Sequence, residues 1–386
     1  MENFEFYNPV KILFGKDQLK QLPEQIDKDQ KVLLIYGGGS IFKNGVYEQV
    51  KSALDGYQVL EFGGIEPNPR YETAMRAVEL IKTEKVDFLL AVGGGSVIDA
   101  TKFIAAAALY EGEDPWHILS RRKEVKAALP FGVVLTLPAT GSEMNNGAVV
   151  SRVETQEKFA FSSPNTFPQF SVLLPDAAGT LPKRQVANGI VDAYAHVLEQ
   201  YLTYPVNAPL QDRFAESILQ TLVEVAPAVY ANPADYDAMS TLMWCATMAL
   251  NGLIGSGVPD DWATHLIGHE LTVLHGLDHG QTLAVVFPGI FRVLKEEKKA
   301  KLLKYGARVW GIREGSEEER VEAAINRTEE FFRSLDVKTK LSEYHIPEET
   351  IEVIAQRFES RRWTAIGDRG LVTPDVVRKV LATQYK

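Results

Sequence analysis

Residues 86–110 read VDFLLAVGGGSVIDATKFIAAAALY. Seven residues rich in β-formers run into three consecutive glycines and then into a long Ala-rich stretch with helical character, which is the pattern of a strand, a tight turn and a helix. Glycines at the end of a buried strand let the backbone turn sharply and approach a diphosphate, whose charge is met by the amide N–H groups opening the next helix. Asp99 and Lys102 fall in the first turns of that helix. The same tetrapeptide, Gly-Gly-Gly-Ser, also follows KVLLIY (31–36) at Gly37–Ser40. One such turn would be unremarked punctuation, whereas two at successive strand ends point to a dinucleotide.

Working outward, QVLEF (58–62) and FGVVLTL (131–137) are further apolar runs, separated by amphipathic stretches such as YETAMRAVELIKTE (71–84). Near-continuous apolar strands joined by helices predict a parallel sheet covered on both faces. Beyond residue 180 the β-like runs stop and helical periodicity continues to the C-terminus. Start signals there include Ser316 with Glu319 as a capping box and Thr373 before Pro374. Pro175, Gly179 and Pro182 punctuate 173–185. The expected architecture is an α/β dinucleotide-binding domain with a Rossmann-like parallel sheet over 1–178, followed by an all-helical metal-binding domain over 179–386, with chemistry in the cleft between them.

Neither glycine turn fits G-x-G-x-x-G with an acidic residue some 20 positions on, so an ordinary Rossmann dehydrogenase is not supported. At the first turn Gly38, Ser40 and Lys43 place neutral or positive groups where a carboxylate would repel a ribose 2′-phosphate, which favours NADP(H) over NAD(H).

The 386 residues carry a formal charge of −10, with 45% hydrophobic and 24% charged side chains. That composition belongs to a folded globular protein, and the acidic balance disfavours nucleic acid, whose phosphates call for Lys and Arg. No apolar run suggests a membrane span, and the N-terminus lacks the features of a secretion signal, so a cytoplasmic location is expected. Cys245 is the single cysteine, which excludes a multi-thiolate cage and leaves nitrogen and oxygen as metal ligands.

Four of the seven histidines, His265, His269, His275 and His279, crowd into Asp260–His279, DDWATHLIGHELTVLHGLDH. Neutral imidazole is a common ligand for divalent metals. Asp192 and His196 stand four apart in QVANGIVDAYAHVLEQYL, as do His265 and His269, so each pair shares a helix face. Spacing alone selects His265 with His269, while Asp192 with His196 would by itself read as a surface ion pair. Glu270 follows the second histidine, so the H-E-x-x-H pattern of zinc proteases is absent. His275 suits the end of a helix, and His117 and His345 lie in unrelated contexts.

NPVKILFG, YGGGSIFKNGVY, FGGIEPNP, AVGGGSVIDATKF, TLPATGSEMN, LPKRQVANGIVDAYAHVLEQY, ALNGLIG, DDWATHLIGHEL and GLDHGQTLAVV, in this order and almost end to end, resemble the iron-containing (group III) alcohol dehydrogenase family, in particular its butanol-dehydrogenase-like, NADPH-linked aldehyde reductase branch. The resemblance implies Asp192, His196, His265 and His279 as ligands of one divalent ion, Fe2+ or Zn2+, with His269 close to the metal as a proton relay. It implies a pyrophosphate near Gly94, Gly95 and Ser96, an adenosine end near Gly37, Gly38, Ser40 and Asn68, and a ribose or nicotinamide side lined by Asp99, Thr136, Thr140, Asn145 and Lys158. Expected substrates are short to medium aliphatic aldehydes and alcohols such as butanal, with Trp262, Leu253 and Ile254 as apolar walls. FEFYNPVKILFG suits an exposed edge strand, and the family suggests a homodimer. The competing readings are a zinc- and NAD-dependent polyol (glycerol-type) dehydrogenase on the same scaffold, a lyase resembling dehydroquinate synthase, and a metal-binding protein without redox chemistry.

Overall fold

A computed structural model describes residues 1–386. The chain divides into two compact units: Tyr7–Pro182 with Ala231–Thr247, and Lys183–Tyr230 with Met248–Lys386 and Met1–Phe6.

The first unit contains β1 (Lys11–Phe14), β2 (Lys31–Tyr36), α1 (Val46–Ala53), β3 (Gln58–Phe62), α2 (Tyr71–Glu84), β4 (Phe88–Gly93), α3 (Gly95–Ala108), a single turn α4 (His117–Ser120), β5 (Phe131–Leu135), β6 (Gly147–Arg152), β7 (Glu157–Ser162), β8 (Phe170–Leu173) and a single turn α5 (Pro175–Ala178). Six strands form one parallel sheet in the order β1-β8-β5-β4-β2-β3. β4 and β5 are buried along their whole length, as their continuous apolar runs require, and β3 at the edge has only partly covered and exposed residues. The core joins Val32, Leu34, Phe88, Leu90, Val134, Phe170 and Val172. β6 and β7 form a separate antiparallel hairpin that the sequence reading did not anticipate.

The strand order carries a functional consequence. From β2 the chain moves outward to β3 and then returns to the other side of β2 as β4, so the direction of winding reverses between β2 and β4. In open α/β sheets ligands bind at the carboxyl ends of strands flanking such a reversal. β2 and β4 pair with Tyr36 opposite Val92, so both glycine turns leave the sheet side by side at this point.

The second unit is built from α6 (Lys183–Tyr201), α7 (Pro209–Ala231), α9 (Ala263–His275), α10 (His279–Val293), α11 (Lys299–Val309), α12 (Glu317–Ser334), α13 (Thr350–Ser360) and α14 (Pro374–Thr383), whereas α8 (Tyr236–Ala249) belongs, all but its last two residues, to the sheet unit. Ser316 and Glu319 form the expected reciprocal capping box, and Thr373 caps α14 with Pro374 in its first turn. No helix is long and apolar enough to cross a membrane. Cys245 is buried and unbridged, and burial pushes its thiol up to about 12.

Candidate metal centre and dinucleotide turn

At the end of β4 the chain passes through Gly93 and Gly94 into α3. A Cβ on Gly95 would stand 2.4 Å from the Thr140 side chain, so only glycine permits this close approach. At Gly38 nothing lies within 4 Å of a Cβ position, and Gly38, Ser40 and Lys43 are all exposed around the first turn. The other residues assigned to the cofactor fall into two hydrogen-bonded chains. Asn68, held at a left-handed φ of 56°, donates its backbone N–H to Ser96 Oγ at 3.3 Å and accepts at Oδ1 from Lys158 Nζ at 2.8 Å. Asp99 accepts from Ser142 Oγ at 2.6 Å and from the Val149 backbone N–H at 2.9 Å. Lys102 Nζ donates to Ser142 Oγ, Asn145 Oδ1 and the Gly147 carbonyl at 2.9, 2.8 and 2.7 Å. Thr140 Oγ1 accepts from the Ser142 N–H, and the Thr136 N–H donates to the Gly93 carbonyl. The segment 136–149 is thereby tied to the second glycine turn and to α3. Lys102 and Ser142, which motif reading did not assign to the site, stand at the junction.

In the helical unit, α6 presents Asp192, His196 and Glu199 at i, i+4 and i+7, along one face. α9 supplies His265 and His269, and His279 opens α10 directly after its N-cap, Asp278. Between those helices Gly276 adopts φ 71°, closing α9 so that the chain can return. Two further glycines set the helix spacing. A Cβ on Gly280 would lie 2.6 Å from the Asn188 backbone oxygen of α6, and one on Gly268 would lie 2.6 Å from Thr282 Oγ1 of α10. Asn188 Nδ2 also donates to Asp278 Oδ2 at 2.8 Å, joining α6 to the start of α10.

The result is a group of four, Asp192, His196, His265 and His279, each offering one donor atom, all within 4.8 Å of one another. Asp192 Oδ1 lies 3.6 Å from both His196 Nε2 and His279 Nε2. The His196 and His265 rings stack at 4.9 Å, and His279 follows at 5.1 Å from His265. Asp192, His196 and His265 are buried and His279 is partly open. Burial, aided by His265, holds His196 well below the usual histidine range, which keeps its imidazole neutral and able to ligate. Three imidazoles and one carboxylate, drawn together in a largely buried site, are a donor set that fits a divalent first-row ion.

The structure does not place His269 in this group, so the pairing that helical spacing alone would select is not the one assembled. Its buried ring lies 5.5 Å from that of His279. Glu270 points elsewhere: its carboxylate, 1% exposed, is bound by Arg357 of α13 and by Arg361 just beyond that helix, which anchors α9 there. His275 is exposed at the end of α9, with Nε2 3.0 Å from Thr350 Oγ1. Trp262 precedes α9 in a left-handed conformation, φ 59°, uncommon for so bulky a residue. Its indole meets the His265 and His196 rings edge-on at 5.1 and 6.2 Å.

The chain matches two family models, iron-containing alcohol dehydrogenase over residues 9–175 and Fe-containing alcohol dehydrogenase family, C-terminal, over residues 186–369. It is 56% identical over 382 residues to the NADPH-dependent aldehyde reductase YqhD of Escherichia coli (strain K12), covering 98% of this chain and 99% of the relative. A crystal structure of YqhD from E. coli K-12 superposes with a TM-score of 0.98 at 55% identity, over 100% of this chain and 99% of that one. The NADH-dependent butanol dehydrogenase A of Thermotoga maritima superposes with a TM-score of 0.96 at 36% identity, over 100% and 99% of the two chains. From these matches along both units, the chain belongs to the iron-containing alcohol dehydrogenase family of NAD(P)-dependent enzymes.

Proposed function

We propose that the protein reduces short to medium aliphatic aldehydes such as butanal to primary alcohols with NADP(H), using one divalent ion, iron(II) or zinc, held by Asp192, His196, His265 and His279. The observation that carries this reading is the convergence of those four donor atoms within 4.8 Å. When bound, the nicotinamide supplies the hydride and the ion the Lewis acidity for interconverting a carbonyl and an alcohol.

The chain's own residues do the rest. Gly94, Gly95 and Ser96 offer the N-terminus of α3 to the pyrophosphate, and the adenosine end lies against Gly37, Gly38, Ser40, Lys43 and Asn68. The exposed, acid-free first turn supports NADP(H), in keeping with the cofactor named for the E. coli relative. Asp99, Thr136, Thr140, Asn145 and Lys158 hold the ribose and nicotinamide side. His269 conveys the proton between the alcohol oxygen and solvent, a task suited to an imidazole, whose two ring nitrogens can accept a proton and give one up. Trp262 with Leu253 and Ile254 supplies apolar walls for an uncharged alkyl chain. Phe4, Phe6 and Tyr7, all exposed and preceding the edge strand β1 in the sequence, support a homodimer.

The test is oxidation of NADPH by butanal, before and after chelation and after refilling with Fe2+ or Zn2+. Chelation should abolish turnover, refilling should restore it, and NADPH should outperform NADH. Faster turnover of glycerol with NAD than of butanal with NADPH would overturn the substrate and cofactor assignment.

A further inference from the structure

Glu199 is 2% exposed, a costly place for a carboxylate unless its oxygens are engaged. Two features of α9 engage it. The helix begins after Trp262, whose side chain makes no capping hydrogen bond, so its first N–H groups need acceptors from elsewhere. Asp261 Oδ1 takes the Ala263 N–H at 3.0 Å, and Glu199 Oε1, reaching across from α6, takes that of His265 at 3.1 Å. The same Oε1 lies 3.0 Å from His265 Nδ1. A neutral imidazole carries one N–H, and Oε1, which already accepts the His265 backbone N–H, serves Nδ1 as an acceptor too. Glu199 therefore places the proton on Nδ1 and leaves the lone pair on Nε2.

The backbone that carries Glu199 is itself braced. The Asp261 N–H donates to the Glu199 backbone carbonyl at 2.9 Å, and Asp261 Oδ2 is paired at 2.8 Å with Lys298 Nζ, which also donates to the Leu202 carbonyl just beyond α6. Lys298 follows α10, the helix opened by His279. One buried ammonium, on the N-cap residue of α11, thus ties the C-terminal end of α6 to the segment that opens α9.

We infer that Glu199 is a positioning residue for the metal: it fixes the Nδ1–H tautomer of His265 and turns Nε2 toward Asp192, His196 and His279. This inference rests on the metal reading above. Carboxylates placed behind a ligand histidine orient the ring and raise its basicity, and their loss weakens metal binding roughly 10- to 100-fold.

The experiment is titration of chelated full-length protein with Co2+, read in the visible spectrum, for the unsubstituted chain and for Glu199→Gln, which keeps an acceptor but loses the charge. The variant should bind Co2+ 10- to 100-fold more weakly, with NADPH affinity and the melting temperature of the metal-free protein nearly unchanged. A Co2+ affinity within twofold of the unsubstituted protein would reduce Glu199 to a helix cap and overturn the inference alone. Failure of the unsubstituted protein to take up one Co2+ would instead remove the metal reading, and the inference with it. Independently of whether the variant folds, long-range 1H–15N spectra of the zinc-loaded unsubstituted protein should show His265 protonated at Nδ1, and a proton on Nε2 would overturn the assignment.

Discussion

Among the buried lysines, Lys102 of the sheet unit and Lys298 of the helical unit are treated in opposite ways. Lys102 of the sheet unit, fully buried, meets three neutral acceptors, and burial pulls its pKa down to about 7 despite Asp99 and Glu143 nearby. Lys298 of the helical unit, also buried, feels the same burial penalty. The Asp261 carboxylate at 2.8 Å and that of Asp368 at 3.6 Å outweigh it and raise its pKa. Neutral acceptors satisfy the hydrogens of an ammonium without compensating its charge, whereas carboxylates do both. The helical unit therefore holds a permanent charge behind its histidines. The sheet unit holds an adjustable one beside the loop assigned to the cofactor.

Lys298→Met gives the largest expected effect. It leaves Asp261 and Asp368 without their counter-charge in the interior, at a cost of about 3–5 kcal/mol in urea unfolding followed by circular dichroism. Metal retention should fall with it, while NADPH titration should not. Lys102→Met should cost less, about 1–3 kcal/mol, because Ser142 still donates to Asp99 and Asn145 Oδ1 still accepts the Gly147 N–H at 3.0 Å. The Gly147 carbonyl loses its hydrogen-bond donor, and Asp99 and Glu143 lose a nearby cation. This variant should weaken NADPH binding and leave Co2+ uptake alone. Equal losses of metal and NADPH in either variant would dissolve the contrast between the units.

The parts legible in the sequence are those encoded locally. The β4–glycine–α3 passage is contiguous, and α2 occupies the stretch Tyr71–Glu84 that its periodicity outlines. The hairpin of β6 and β7 escaped notice because its connection, Val153–Gln156, lacks an Asn-Gly or Asp-Gly signal and turns instead with Gln156 at φ 50°. Within the metal group, helical spacing points to His265 with His269. The fourth donor comes from another helix, whose approach depends on Gly268 and Gly280 meeting Thr282 and the Asn188 backbone. Such glycines inside helical patterns are the signal available in the sequence, since a helix tolerates them chiefly where another backbone or side chain comes close. Lys102 and Glu199 read as ordinary charges on helices, and only tertiary packing turns them inward.

The smallest effect distinguishes the two lysines most directly. An unfolded lysine titrates near 10.4, so between pH 7 and 10 the unfolded chain holds a proton at Lys102 that the folded chain has begun to release, its folded value being about 7. Stability then rises with pH in this window, by about 1 kcal/mol between pH 7 and 8 for one such group. Lys298, whose folded pKa is raised, stays protonated in both states there, and its contribution is lost only as the pH climbs past the ordinary lysine range. Lys102→Met should therefore flatten the rise in urea stability between pH 7 and 8 by about 1 kcal/mol, and Lys298→Met should leave that rise in place. An unchanged slope in Lys102→Met would mean that Lys102 keeps its proton. Its three N–H groups, matched to Ser142, Asn145 and Gly147, would then hold a full charge on neutral partners, and Lys102 and Lys298 would be the same device.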